Sequence, residues 1–104
     1  MKILFIGTSG VHHVQIAASL YLGRGIKEAV SSSSFANLAL EKKGHPIFIG
    51  KYKGIDEVYT LGVGYDIGLG EKILNQLRNL LGYTESDLII IPIFIKNEQL
   101  IYFI

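Results

Sequence analysis

The chain has no cysteine. Disulfides, thiolate metal centres and cysteine nucleophiles are therefore excluded, and the expected setting is a reducing cytoplasm. Charge is scarce as well. Asp, Glu, Lys and Arg make up 18% of the residues, against roughly 25% in an ordinary soluble domain. Ten Lys and Arg nearly cancel nine Asp and Glu, leaving a formal charge of +1. No like-charge run is longer than Lys42-Lys43, so nothing attracts a nucleic-acid backbone. Long apolar runs are missing too: the longest, LIIIPIFI from Leu88 to Ile95, is far below the roughly 18 residues a membrane span needs. The apolar run at the N-terminus stops at Gly7, which is too short for a signal peptide. A cytoplasmic protein without nucleic-acid or membrane partners is expected.

What is present is apolar mass, 49% of the 104 residues. The length suits one domain spanning 1–104, which buries roughly 60 to 65% of the surface of its unfolded chain. So much apolar surface with so little charge favours a homo-oligomer, most simply a dimer. Ile3 to Ile6 reads as a strand buried on both faces. Val14, Ala17, Ala18 and Tyr21 share one face of a helix from His13 to Leu22, with Gly23 as its C-terminal cap. After a linker, Ser34 is placed as N-cap of a short helix, FANLALEKK, closed by Gly44. His45-Pro46 forces an extended chain into a short edge strand, Ile47 to Ile49, and Lys51 to Gly54 reads as a turn. Glu57 to Leu61 alternates as a strand, and EKILNQLRNLLG follows as an amphipathic helix. Its stripe is Ile73, Leu74, Leu77, Leu80 and Leu81, Glu71 and Arg78 suit its dipole, and Gly82 caps it. Leu88 to Ile93 is a last buried strand. The tail IFIKNEQLIYFI reads as a hairpin turning at Lys96-Asn97-Glu98 or as a lone strand.

This order implies an α/β three-layer sandwich with a mainly parallel sheet of about four to five strands, in a P-loop-like or Rossmann-like topology. With no helix predicted after Ile93, one sheet face is expected to be under-covered, the main argument for a dimer.

Two glycine loops follow strands and precede helices, which places both at the carboxyl edge of the sheet, where ligands bind. The first offers Gly7, Thr8, Ser9 and Gly10, then His12 and His13 at a helix start whose N-H groups suit an anion. It lacks the Lys of a nucleotide-hydrolysing loop and the Cys of a phosphatase. His12 and His13 diverge by about 100° on a helix, so a shared metal would need His45 or Asp66 as well, and no metal or other cofactor is assigned. An alternative reading has His12 act as an acid or base near Asp66; the bland reading makes one His a cap and leaves the other on the surface. The second loop carries Gly62, Gly64 and Gly68 in a GxGxxxG spacing, with Tyr65 and Asp66 at its tip. One extra residue, and no acidic residue at the end of the next strand, set it apart from a dinucleotide loop.

The opening block MKILFIGTSGVHHVQIAASLYLG resembles that of the bacterial family known as domain of unknown function 3189, at Gly10, His12, Ala17, Ala18, Leu22 and Gly23. A second block, FIGKYKGIDEVYTLGVG, is similar to the family's middle section at Glu57, Val58, Tyr59, Leu61 and Gly62. The resemblance runs to about Ile93 and implies a short, C-terminally abbreviated member. Ser9 stands where the family has a first loop glycine, and His13-Val14 where it has two hydroxyl residues. The resemblance implies a fold and the place of a loop but no reaction, so no catalytic residue is assigned. The expectation is an anionic, phosphate-containing or nucleotide-like small molecule bound by Gly7 to His13 and Gly62 to Gly68. The alternative is a non-catalytic homodimeric interaction module.

Overall fold

The structure, a computed structural model, describes residues 1–84 and 86–94. Strand β1 (Lys2–Gly7) buries every residue after Lys2, as its unbroken apolar sequence requires of a strand covered on both sides. It lies between β3 (Asp56–Gly62) and β4 (Leu88–Pro92) and runs parallel to both. An antiparallel strand, β2 (Ile47–Tyr52), pairs with β3 to complete the order β2-β3-β1-β4. The fold is thus mixed α/β with an open, mostly parallel sheet of four strands among the described residues. Any hairpin or further strand in the tail lies outside them.

Successive side chains of a strand point to opposite faces, and β1 splits the core accordingly. Ile3 and Phe5 pack with Val58 and with Val14 and Ala18 of α1 (His13–Tyr21). Leu4 and Ile6 pack with Ile90 and with Ile67 of α4 (Ile67–Leu80), and the half-buried Leu74 joins them. Ile3, Ile6, Val14 and Val58 are wholly buried, each contributing roughly 1.5–3 kcal/mol by removal from water.

All three predicted helix-ending glycines, Gly23, Gly44 and Gly82, stand at positive φ just past their helices. Gly23 (φ +84°) donates to the Leu20 carbonyl while Arg24 N-H reaches back to Ser19, and Gly82 (φ +82°) and Tyr83 repeat the pattern on Asn79 and Arg78. This double bond satisfies the last carbonyls of a helix and requires the left-handed backbone that glycine adopts at no steric cost.

Elsewhere the structure corrects the sequence. The linker contains a short helix, α2 (Ile26–Val30). The next helix, α3, spans only Leu38–Lys42 and is capped by Asn37, whose side chain accepts from the Ala39 and Leu40 N-H groups. Ser34 is not its cap because the helix starts three residues later than expected; the Ser34 hydroxyl instead donates to Gln15 Oε1 at 3.0 Å. β2 continues through Tyr52 and β3 begins at Asp56, so the turn shifts to residues 53–55, with Lys53 and Gly54 at positive φ and Ile55 N-H donating to the Tyr52 carbonyl. That is the tight hairpin turn whose twist matches its strands.

The largest correction concerns α4. It begins at Ile67, four residues before Glu71, with Asp66 Oδ1 accepting the Leu69 N-H at 3.0 Å. Gly68 and Gly70 therefore lie within the helix, and Gly70 lets it approach Val63, whose side-chain carbons would come within 2.8 Å of a Cβ there. The face on the sheet carries Ile67, Leu74 and Arg78, while Ile73, Leu77, Leu80 and Leu81 of the predicted stripe are exposed. Arg78 is only 7% exposed and donates to the Leu88 carbonyl at 3.1 Å. Its aliphatic stem covers apolar surface as a Leu would.

Candidate functional site

Since β1 and β3 are parallel, the loops that follow them leave the same edge of the sheet, and the structure joins them. Val63 N-H donates to the Gly7 carbonyl at 2.9 Å and Gly64 N-H to the Thr8 carbonyl at 3.3 Å. The buried Thr60 hydroxyl donates to the Gly10 carbonyl at 2.7 Å. Gly10 and Gly62 lie back to back: a Cβ on Gly10 would stand 2.9 Å from the Gly62 nitrogen, and one on Gly62 would stand 2.8 Å from the Gly10 nitrogen and strike the Glu41 carboxylate. Here glycine serves close backbone approach; Gly64 (φ +81°) serves the turn instead.

The centre of the site is a carboxylate from α3. Glu41 Oε2 accepts the Gly10 N-H at 2.9 Å and the Ser9 hydroxyl at 3.0 Å. Ser9 Oγ also accepts the Val11 N-H at 3.2 Å and lies 2.8 Å from His12 Nδ1. A hydroxyl has one proton and an ionised carboxylate can only accept. The Ser9 proton therefore points to Glu41, and His12 Nδ1 carries the hydrogen of its bond to Ser9. That arrangement holds Ser9 as a hub of the loop rather than as a nucleophile whose proton the imidazole would remove. The His12 ring meets Phe35 edge-on at 6.3 Å.

The predicted residues thus divide. Gly7, Thr8, Ser9, Gly10, His12, Gly62 and Gly64 come together. His13 is buried at the first turn of α1, with its Nε2 3.2 Å from where a Cβ on Gly7 would lie. Neither histidine follows the bland expectation: His12 stands at the N-cap position without a side-chain cap bond, and His13 is not on the surface. Tyr65 is 75% exposed, and Asp66 uses its carboxylate to cap α4 rather than to orient His12. The second glycine loop ends at Asp66, which removes Gly68 from it. Among the described residues no three His, Asp or Glu side chains are grouped so as to hold a metal ion.

Glu41 and Thr60 are absent from the sequence reading of the site. Glu41 sits in EKK, where it is indistinguishable from an ordinary charged helix face. Thr60 carried a weak signal, a hydroxyl on the same face of β3 as the buried Val58.

The cavity among Gly10, Leu40, Glu41, Leu61 and Gly62 has a volume of about 10 Å³, at the limit for one water molecule. Larger hollows lie elsewhere. One of about 350 Å³ opens at the amino edge, beside Met1, Lys2, Tyr83 and Asp87, the wrong end of a parallel sheet for a ligand held by the strand-to-helix loops. Another of about 360 Å³ lies over Leu4, Tyr59 and Leu88 on the face that α4 covers.

No curated protein and no solved structure matches the chain. Residues 2–103 match a protein family described as a protein of unknown function (DUF3189), past the Ile93 limit of the two resembling blocks and over nearly the whole sequence. The cradle of Ser9, Gly10, His12 and Gly62 thus lies within a chain that belongs to this family.

Proposed function

We propose that the protein binds a phosphate-containing or nucleotide-like ligand at the carboxyl edge of its sheet, between Gly7–His13 and Gly62–Asp66. The observation that carries this reading is the carboxylate in the cradle. The Gly10 N-H and the Ser9 hydroxyl hold an anionic oxygen, the kind of atom a phosphate would present. The start of α1 adds the partial positive charge of a helix N-terminus. We read the connectivity as a three-layer sandwich of P-loop-like or Rossmann-like type. The chain leaves β1 toward α1 against one core and leaves β3 toward α4 against the other, and ligands of such sheets settle where crossovers diverge. A cytoplasmic setting suits a ligand of this kind. Titration with inorganic phosphate, followed on the backbone amides of residues 8 to 13, tests the reading. Saturable shifts centred on Ser9 to Val11 are expected; amides that stay unmoved at tens of millimolar phosphate would refute it.

A second reading, a non-catalytic homodimeric interaction module, is favoured by a different observation. Leu69, Ile73, Leu77 and Leu80 form an exposed apolar stripe along α4, and Phe48 is exposed on the edge strand β2. The two readings are compatible, since the stripe and the cradle use different residues.

A further inference from the structure

Glu41 is where an external anion would have to go. Its carboxylate occupies the Gly10 N-H and the Ser9 hydroxyl, lies against the Cα of Gly62, and leaves a cavity of about 10 Å³ beside it. Phosphate cannot be added to that arrangement; it can only replace the carboxylate. The element that carries Glu41 is suited to being replaced. Helix α3 buries none of its residues, so moving it disrupts little apolar packing. Gly44, at φ +70°, follows it and donates to the Glu41 carbonyl.

We propose that Glu41 is a built-in competitor for the cradle and that α3 is a latch held shut by it. This rests on the anion-binding reading above and narrows the ligand class. A tethered carboxylate competes at an effective concentration on the order of millimolar or more, so a free carboxylate, which offers the same two oxygens, does not displace it at comparable concentration. A phosphate group carries about −1.5 to −2 charge and three acceptor oxygens, and it replaces both contacts with acceptors to spare for the start of α1. The cradle therefore selects phosphate-type dianions over carboxylates, and filling it releases α3.

The test uses the full chain, wild type beside Glu41→Ala and Glu41→Gln, with inorganic phosphate and acetate as probes. Affinity is read by titration on the Ser9 to Val11 amides, and α3 is read by hydrogen exchange at the Glu41, Lys43 and Gly44 amides. If the cradle is open in about a tenth of wild-type molecules or fewer, removing the competitor tightens phosphate binding about tenfold or more. Glu41→Gln, which keeps a hydrogen-bonding plug without the charge, falls between. Phosphate accelerates α3 exchange in the wild type, and acetate binds Glu41→Ala but not the wild type. Equal phosphate affinity in wild type and Glu41→Ala overturns the proposal. So does wild-type phosphate binding that leaves α3 exchange unchanged, which reduces Glu41 to a nearby repulsive charge. If no variant binds phosphate yet Glu41→Ala still loosens α3, the latch stands and the ligand reading falls.

Discussion

Tyr59 and Glu57 are two residues apart on β3, so they share a face, and the Tyr59 hydroxyl donates to Glu57 Oε1. That bond holds the Glu57 carboxyl below its ordinary 4.5, with Lys2 and Lys51 assisting. The same bond, together with burial and the charge of Glu57, raises Tyr59 above its ordinary 10.0. A carboxylate with a lowered folded value adds stability that is present above pH 4.5 and lost as pH falls through the folded value. A phenol with a raised folded value adds stability that is present below pH 10.0 and lost as pH rises through the folded value. Tyr59→Phe should accordingly lower the urea midpoint by a constant amount across neutral pH, and the gap from wild type should narrow at both extremes. A gap as wide at pH 3 as at pH 7 would show that the bond contributes nothing. At this scale the sequence was partly legible. Gly10 and His12 could be assigned to a loop because a glycine after a buried strand has few other uses. Glu41 could not, because its role depends on a contact between residues 31 positions apart, and its local setting is that of any solvated helix charge.

Elements were legible where a local rule decided them. Gly23 and Gly82 ended their helices as expected because a left-handed cap is set by neighbouring residues alone. The rotation of α4 was not local. Its most regular apolar stripe suggested a buried face, yet the sheet offers a surface that Ile67, Leu74 and the stem of Arg78 fill, and the stripe turns outward. The early start of α4 follows from Asp66, whose carboxylate satisfies one of the N-H groups that lack a partner within the first turn. Glycine at positions 68 and 70 weakens that turn by roughly 1 kcal/mol each relative to alanine, so the cap is needed more than in an ordinary helix. Asp66→Ala should destabilise the protein by about 1 kcal/mol, within the usual 0.5–2 for a lost cap, as measured by urea unfolding. Phosphate shifts at Ser9 to Val11 should be unaltered, because the Asp66 carboxylate is engaged by the Leu69 N-H and not by Ser9 or Gly10. A variant as stable as the wild type would mean that the first turn of α4 is not held by its cap.

For the whole molecule, the order of elements anticipated the α/β class and composition the excess of apolar surface, but neither where that surface would lie. An under-covered sheet face was expected; the structure adds the outward stripe of α4, where Leu80 is 83% and Leu77 48% exposed. Leu69, Ile73, Leu77 and Leu80 recur at spacings of four, four and three, which puts them on one side of the helix. Two such stripes laid antiparallel form the self-complementary contact that a twofold dimer requires. A specific dimer must bury about 1,000 Å² or more in total, which the stripe reaches only with help from neighbours such as Tyr83 and Leu81, both exposed beyond the end of α4. Sedimentation equilibrium at tens of micromolar should therefore report a dimer for the wild type and a monomer for Leu77→Glu. A charge at the centre of the stripe would have to be buried without a partner in the dimer, at a cost of several kcal/mol. In the monomer the same side chain is already half in water, so the variant should fold with little loss of its own stability. A wild-type chain that sediments as a monomer at millimolar concentration, or a Leu77→Glu variant that remains dimeric, would remove α4 as the dimer surface.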